Sequence, residues 1–120
     1  MSRYVKSFEV SELELLKYSI EDFLKEKRFI LGKRNNEDTW MREGFACKHC
    51  IIIKYEANII ELIAFIVYNN YEHKGLGYYG WAKEESESSI KGFLGGFGKW
   101  PIQKTVRQLK KMIKNSQIQK

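Results

Sequence analysis

One proline, two cysteines and two histidines in 120 residues exclude several classes before any motif is read. Two cysteines three positions apart cannot build a disulfide framework, so the fold must hold through its apolar core. With a single proline and no Gly/Ser-rich stretch there is no internal linker, and the chain is expected to form one domain over residues 1–120, with 115–120 as a trailing tail. Long hydrophobic runs are also missing. The most apolar tract, Ile51 to Tyr68, is interrupted by Lys54, Glu56 and Glu61 and by a turn at Ala57-Asn58, which argues against a membrane span. The opening MSRYVKSFEVSELELL has no apolar region ahead of a small-residue cleavage site, so a secretory signal is not expected and the expected compartment is the cytoplasm. Many Ile, Lys and Asn beside few Ala and Pro fit an AT-rich coding sequence and a bacterial source.

Among what is present, two amphipathic helices stand out. Ser11 followed by Glu14 has the form of a capping box, with Val10 and Leu15 as a hydrophobic staple. Leu13, Leu16, Ile20, Phe23 and Leu24 then recur at helical spacing down to about Lys27. Near the end, Pro101 suits a first helical position because its missing N–H would be an orphan there, and Ile102, Val106, Leu109 and Ile113 form an apolar stripe. Between them the pattern is strand-like. Arg28 to Arg34 and Thr39 to Glu43 flank a polar RNNED turn, and Cys50 to Glu56 and Ile59 to Tyr68 flank Ala57-Asn58. Both faces of the second pair are apolar, so these strands belong at the centre of a sheet covered on both sides or packed across a dimer. Arg3 to Glu9 reads as an edge strand and Leu76 to Lys83 as a further strand, followed by EESESS as a polar loop. The expected class is α+β: an antiparallel four- to five-stranded sheet with the N-terminal and C-terminal amphipathic helices packed on it.

The order of helix, strand meander and IKGFLGGFGKWPIQKTVRQLKKMI resembles a group of small uncharacterised bacterial proteins, some of which carry an N-terminal zinc ribbon. Gly92, Phe93, Gly95 and Lys99 carry the resemblance as a G-F-x-G loop followed by lysine. The extra glycines of GFLGGFG and the Trp100-Pro101 pair depart from that pattern, and no zinc ribbon precedes the first helix. The resemblance implies the α+β fold and no particular activity.

Three motifs invite chemistry and lack its context. Cys47-Lys48-His49-Cys50 is one C-x-x-C where a structural zinc site needs four ligands, and an extended backbone puts its two thiols on opposite faces of a strand. No metal and no cofactor are therefore expected. KGLGYYGW matches an RNA-recognition strand at Lys74, Gly75, Gly77, Tyr78 and Trp81, but Leu76 replaces a stacking aromatic and the strand order is wrong for that fold. GFLGGFGKW misses the phosphate-loop spacing, with Phe93 where a glycine and Trp100 where a hydroxyl would be required. His73 and Cys50 as base and nucleophile are not dictated by any spacing, and an enzyme is not the expected outcome.

Charge is the most informative functional feature. No acid follows Glu87, whereas Lys91, Lys99, Lys104, Arg107, Lys110, Lys111, Lys114 and Lys120 do. At about 100° per residue, Lys104, Arg107, Lys110, Lys111 and Lys114 fall beside and opposite the apolar stripe. A solvated helix face explains such a run in part, but five cations without an acid exceed what solubility asks. The expectation is a non-catalytic binding domain whose polyanion-binding residues are Lys99, Lys104, Arg107, Lys110, Lys111 and Lys114. Its partners would be nucleic acid, an acidic protein or an anionic membrane surface. The rival readings are a small ligand-binding protein or enzyme with a pocket beneath Phe93 and Phe97, and a homo-oligomer formed through the second apolar face of the central strands.

Overall fold

A computed structural model of the chain describes residues 3–44, 47–73, 79–88, 90 and 96–118. In chain order the elements are β1 (Tyr4–Glu9), α1 (Leu13–Glu26), β2 (Ile30–Arg34), β3 (Glu37–Gly44), β4 (Cys47–Glu56), β5 (Ile59–His73), β6 (Tyr79–Ser88) and α2 (Gly96–Ile118). All the strands join one antiparallel sheet in the order β1-β5-β4-β3-β2. β1 pairs with β5 from Ile59 to Ala64, and β6 pairs with the same edge of β5 from Ile66 to His73, so the six strands make a sheet at most five strands wide. The α+β arrangement is the one the sequence implied, and the apolar strands β4 and β5 are central in it.

Alternation along β4 divides the core in two. Cys47 and Ile51 face one way with Ile60, Leu62, Ala64 and Ile66 of β5, and onto them pack Leu16, Ile20 and Leu24 of α1 and Ile102, Val106, Leu109 and Ile113 of α2. Both helices therefore lie on the same face. On the other face Cys50, Ile52, Ile63, Phe65 and Val67 form a smaller buried cluster against Met41. Polar side chains lie over it. The Arg3 guanidinium sits 4.2 Å from the Phe65 ring centre and bonds Glu37 at 3.3 Å, and Lys54 reaches Glu37 at 3.7 Å. Burial of this cluster within one chain removes much of the hydrophobic motive for a dimer through that face.

Local chemistry explains the turns and corrects two helix starts. Asn35 and Asn36 both take positive φ, 54° and 67°, which suits a two-residue hairpin whose twist matches its strands. α1 begins at Leu13 with Glu12 as N-cap and no side-chain cap, so the Ser11–Glu14 box does not form and Leu15 is exposed. The reason is upstream: β1 pairs with β5 through Glu9 and Ile59, and the Val10 amide continues to the Asn58 carbonyl at 2.8 Å, holding Ser11 out of capping position. α2 begins at Gly96, so Pro101 lies inside the helix and not at its start. Glu84 to Ser88 of EESESS are not a loop either, and Ser89 lies outside the described residues. Glu84 to Ser88 pair with Asn70 to Ile66 as a polar edge strand, a composition that discourages further pairing.

The end of α1 yields a stability prediction. Arg28 adopts φ 73° while its amide bonds Lys25 and the Phe29 amide bonds the Leu24 carbonyl at 2.9 Å, a Schellman motif with arginine in the place usually held by glycine. Arg28→Gly should stabilise the protein by about 1 kcal/mol in urea unfolding, since a left-handed conformation costs a side-chain-bearing residue roughly that much.

A second prediction concerns alkaline pH. The Tyr55 hydroxyl is buried and has no hydrogen-bond partner among the described residues. Burial, with Glu21 repulsion added, raises it well above its ordinary value of 10.0, and burial with Glu43 raises the Cys47 thiol above 9.0. Folding thus favours both protonated forms. Their contribution is complete at neutral pH and declines as pH climbs past the unfolded-state values, so melting temperature should fall from about pH 9 upward. Tyr55→Phe should raise neutral stability by up to about 1 kcal/mol by removing an unsatisfied group, and should flatten the alkaline decline.

Candidate functional site

The candidate surface is built on α2. Its stripe of Ile102, Val106, Leu109 and Ile113 is buried, which fixes the rotation of the helix about its axis. Lys104, Arg107, Lys111 and Lys114 are exposed. At about 100° per residue these four occupy an arc of roughly 80°, on the side away from the stripe. Along the axis they span about 15 Å. Lys110 is half-buried, with its ammonium 5.3 Å over the Tyr4 ring, so it leans toward β1 and is partly withdrawn from the exposed row. Lys99 belongs to the first turn of the same helix. α2 carries six basic residues and no acid, whereas α1 carries Glu14, Glu21, Asp22 and Glu26 against Lys17 and Lys25.

A buried polar node locks this helix to the sheet. Arg42 on β3 and His49 on β4 are direct cross-strand partners, and Arg42 Nε donates to His49 Nδ1 at 3.1 Å. Arg42 Nη1 donates to the Lys27 carbonyl at 3.1 Å, and Nη2 reaches Thr105 Oγ1 of α2 at 3.4 Å. The Thr105 hydroxyl in turn donates to the Pro101 carbonyl at 3.0 Å. Below the guanidinium lies the Phe29 ring, 4.4 Å from its centre. One side chain therefore joins the end of α1, the strands β3 and β4, and α2. Burial lowers the Arg42 pKa from its ordinary 12.5, as desolvation of a cation must.

His49 is 2% exposed and accepts at Nδ1, so the neutral ring carries its proton on Nε2. Room for it comes from Gly44, where an added Cβ would stand 2.5 Å from Nε2. In the sequence His49 stands only inside the C-x-x-C, and its partner Arg42 belongs to no motif. A signal was present: in TWMREG, alternation puts Arg42 on the same inward face as Trp40, and a cation aimed inward requires acceptors.

The other motifs are separated by the fold. Cys47 and Cys50 are both free and buried, and they belong to opposite core clusters, so they cannot share an ion or a bond. Cys50 faces Phe65 across the ladder while His73 stands at the far end of β5. Eight residues of strand separate Phe65 from His73, roughly 27 Å, which rules out the base–nucleophile pair. Lys74 to Tyr78, Lys91 and the Gly92–Gly95 loop with Phe93 lie outside the described residues, as does the Phe97 side chain. Among the described residues no group of three or more His, Cys, Asp or Glu is placed to hold a metal, and no helix is long and apolar enough to cross a membrane. Compared with family models, curated proteins and solved structures, the chain matches none.

Proposed function

We propose that the protein is a small non-catalytic domain that binds the phosphate backbone of nucleic acid along the outer face of α2. One observation carries the reading: Lys104, Arg107, Lys111 and Lys114 project together from a helix whose opposite side is buried. A row of cations set along one face of a docked helix presents a regular array of charge to a regularly spaced polyanion. Lys99 in the first turn and the half-buried Lys110 add positive charge to the same helix. Phosphate contacts of this kind position a nucleic acid without reading its sequence. Two buried free thiols suit a reducing, cytoplasmic setting for such a partner.

Binding to labelled duplex DNA, single-stranded RNA and anionic vesicles at low salt tests the proposal. Sequence-independent binding to DNA or RNA, tighter than about 100 μM, is the expected result. Binding to vesicles alone would replace nucleic acid by a membrane surface. Binding to none of the three would leave the row a solvated helix face.

A further inference from the structure

We infer that the Arg42–His49 contact is a proton-operated latch on α2: in weakly acidic solution His49 takes up a proton, Arg42 is driven from the site, and α2 loses its polar anchor to the sheet. Two donors of one guanidinium meet at a single ring nitrogen, Nε at 3.1 Å and Nη2 at 3.0 Å from His49 Nδ1. Because the neutral ring keeps its proton on Nε2, Nδ1 is the place left for a second one. The imidazolium would set an N–H against two N–H groups, and a cation against a cation, in a site where the ring is 2% exposed. Both cannot stay.

The guanidinium is the part that gives way. Gly44 packs so closely on the imidazole that an added Cβ would lie 2.9 Å from Cε1 and 3.1 Å from Cδ2, which leaves the ring little room to turn. When Arg42 moves, Nη1 leaves the Lys27 carbonyl and Nη2 leaves Thr105 Oγ1, so the tie between β3 and α2 goes with it. α2 belongs to no ladder, and it can open while the strands stay paired.

The groups around the ring come from every neighbouring element. β5 sets Ile66 opposite it, and α2 contributes the buried Thr105, with Lys104 and Arg107 turned to solvent. From the end of α1 comes the Lys27 carbonyl, while the Lys27 ammonium lies 5.5 Å over the Phe23 ring. Cys47, two residues back along β4, has its thiol held protonated by burial, with Glu43 adding to the effect. Glu43 follows Arg42 on β3 and by alternation faces the other way, so the guanidinium in direct contact outweighs it. Arg42, a cation, is therefore the charge that meets Nδ1. Once α2 opens, His49 becomes an ordinary histidine that takes up a proton near pH 6.5. The docked state excludes that proton, so docking is fully favoured above about pH 7 and weakens as pH falls below about 6.5. The latch concerns how α2 is held and stands whatever its outer row binds.

Amide hydrogen exchange of the full chain, followed by NMR at about pH 7 and about pH 5.5 and corrected for the intrinsic rate, tests the latch. The opening constants of the Val106, Leu109 and Ile113 amides should rise roughly five- to tenfold on acidification. At both pH values they should exceed those of the β4–β5 ladder, because α2 opens on its own. His49→Asn keeps an acceptor oxygen near the Nδ1 position and cannot titrate in this range, so its α2 opening should change by less than about twofold. In the wild type, the Cε1 proton of folded His49 should hold its neutral-ring shift throughout, a reading that needs no variant to fold. Unchanged α2 protection at the lower pH would overturn the inference, as would an equal rise in His49→Asn. So would one common protection for α2 and the ladder at both pH values, or a His49 ring that titrates near pH 6.5 while α2 stays protected.

Discussion

Gly44→Ala is expected to destabilise the protein by about 2–3 kcal/mol, a large loss for a substitution that adds one methyl group. The added Cβ would lie 2.5 Å from His49 Nε2 and 2.9 Å from Cε1, closer than non-bonded atoms approach. The ring cannot simply retreat, because Nδ1 is held by Arg42 and the residue is almost fully buried. Moving it would leave Arg42 Nε without its acceptor, while Nη1 and Nη2 stay held at the Lys27 carbonyl and the Thr105 hydroxyl. The cost should therefore depend on the histidine. In a His49→Ala background, itself destabilised by about 2–4 kcal/mol through a cavity and unmet donors, Gly44→Ala should cost less than about 0.5 kcal/mol. Urea unfolding of the four proteins measures the coupling. An equal penalty in both backgrounds would mean that Gly44 is required for some reason other than the imidazole.

How much of this was legible beforehand depended on whether the determining contacts were local. The stripes of α1 and α2 and the two hairpins follow from periodicity and turn residues, and they appear at Leu16, Ile20 and Leu24, at Ile102 to Ile113, and around Asn35-Asn36 and Ala57. The Ser11 capping box failed because a backbone bond from Val10 to Asn58, some fifty positions away, decides where the chain enters α1. β6 was cut short for a similar reason. Its Glu and Ser residues carry no apolar alternation, and only the extension of β5 makes them a strand. The Arg42–His49 node required the β3–β4 register, since the two residues are seven apart and become neighbours only in that pairing. The exposed row on α2 was fully readable, because an apolar stripe fixes where the remaining residues point. The half-burial of Lys110 was not, since it depends on Tyr4 of β1.

Removing three cations from the α2 row should abolish most salt-dependent nucleic-acid binding without unfolding the protein. Arg107, Lys111 and Lys114 are exposed on the outer arc, so Arg107→Ala, Lys111→Ala and Lys114→Ala together should change stability by less than about 1 kcal/mol, while Arg42 and the apolar stripe continue to hold the helix. If the row neutralises three to four phosphates, log affinity against log salt on duplex DNA should have a slope of about −3 to −4, and a shallower one on single strands. Between 50 and 200 mM salt the wild-type protein should then lose roughly 60- to 250-fold in affinity. With at most one contact left, the triple variant should lose no more than about threefold over the same range, and neither protein should prefer one DNA sequence. The most direct measurement is this paired salt titration on one duplex by fluorescence anisotropy. A wild-type slope near −3 to −4 that flattens to about −1 or less in the triple variant is the expected result. The same slope in both proteins, or no binding by the wild type at low salt, would contradict a nucleic-acid role for α2.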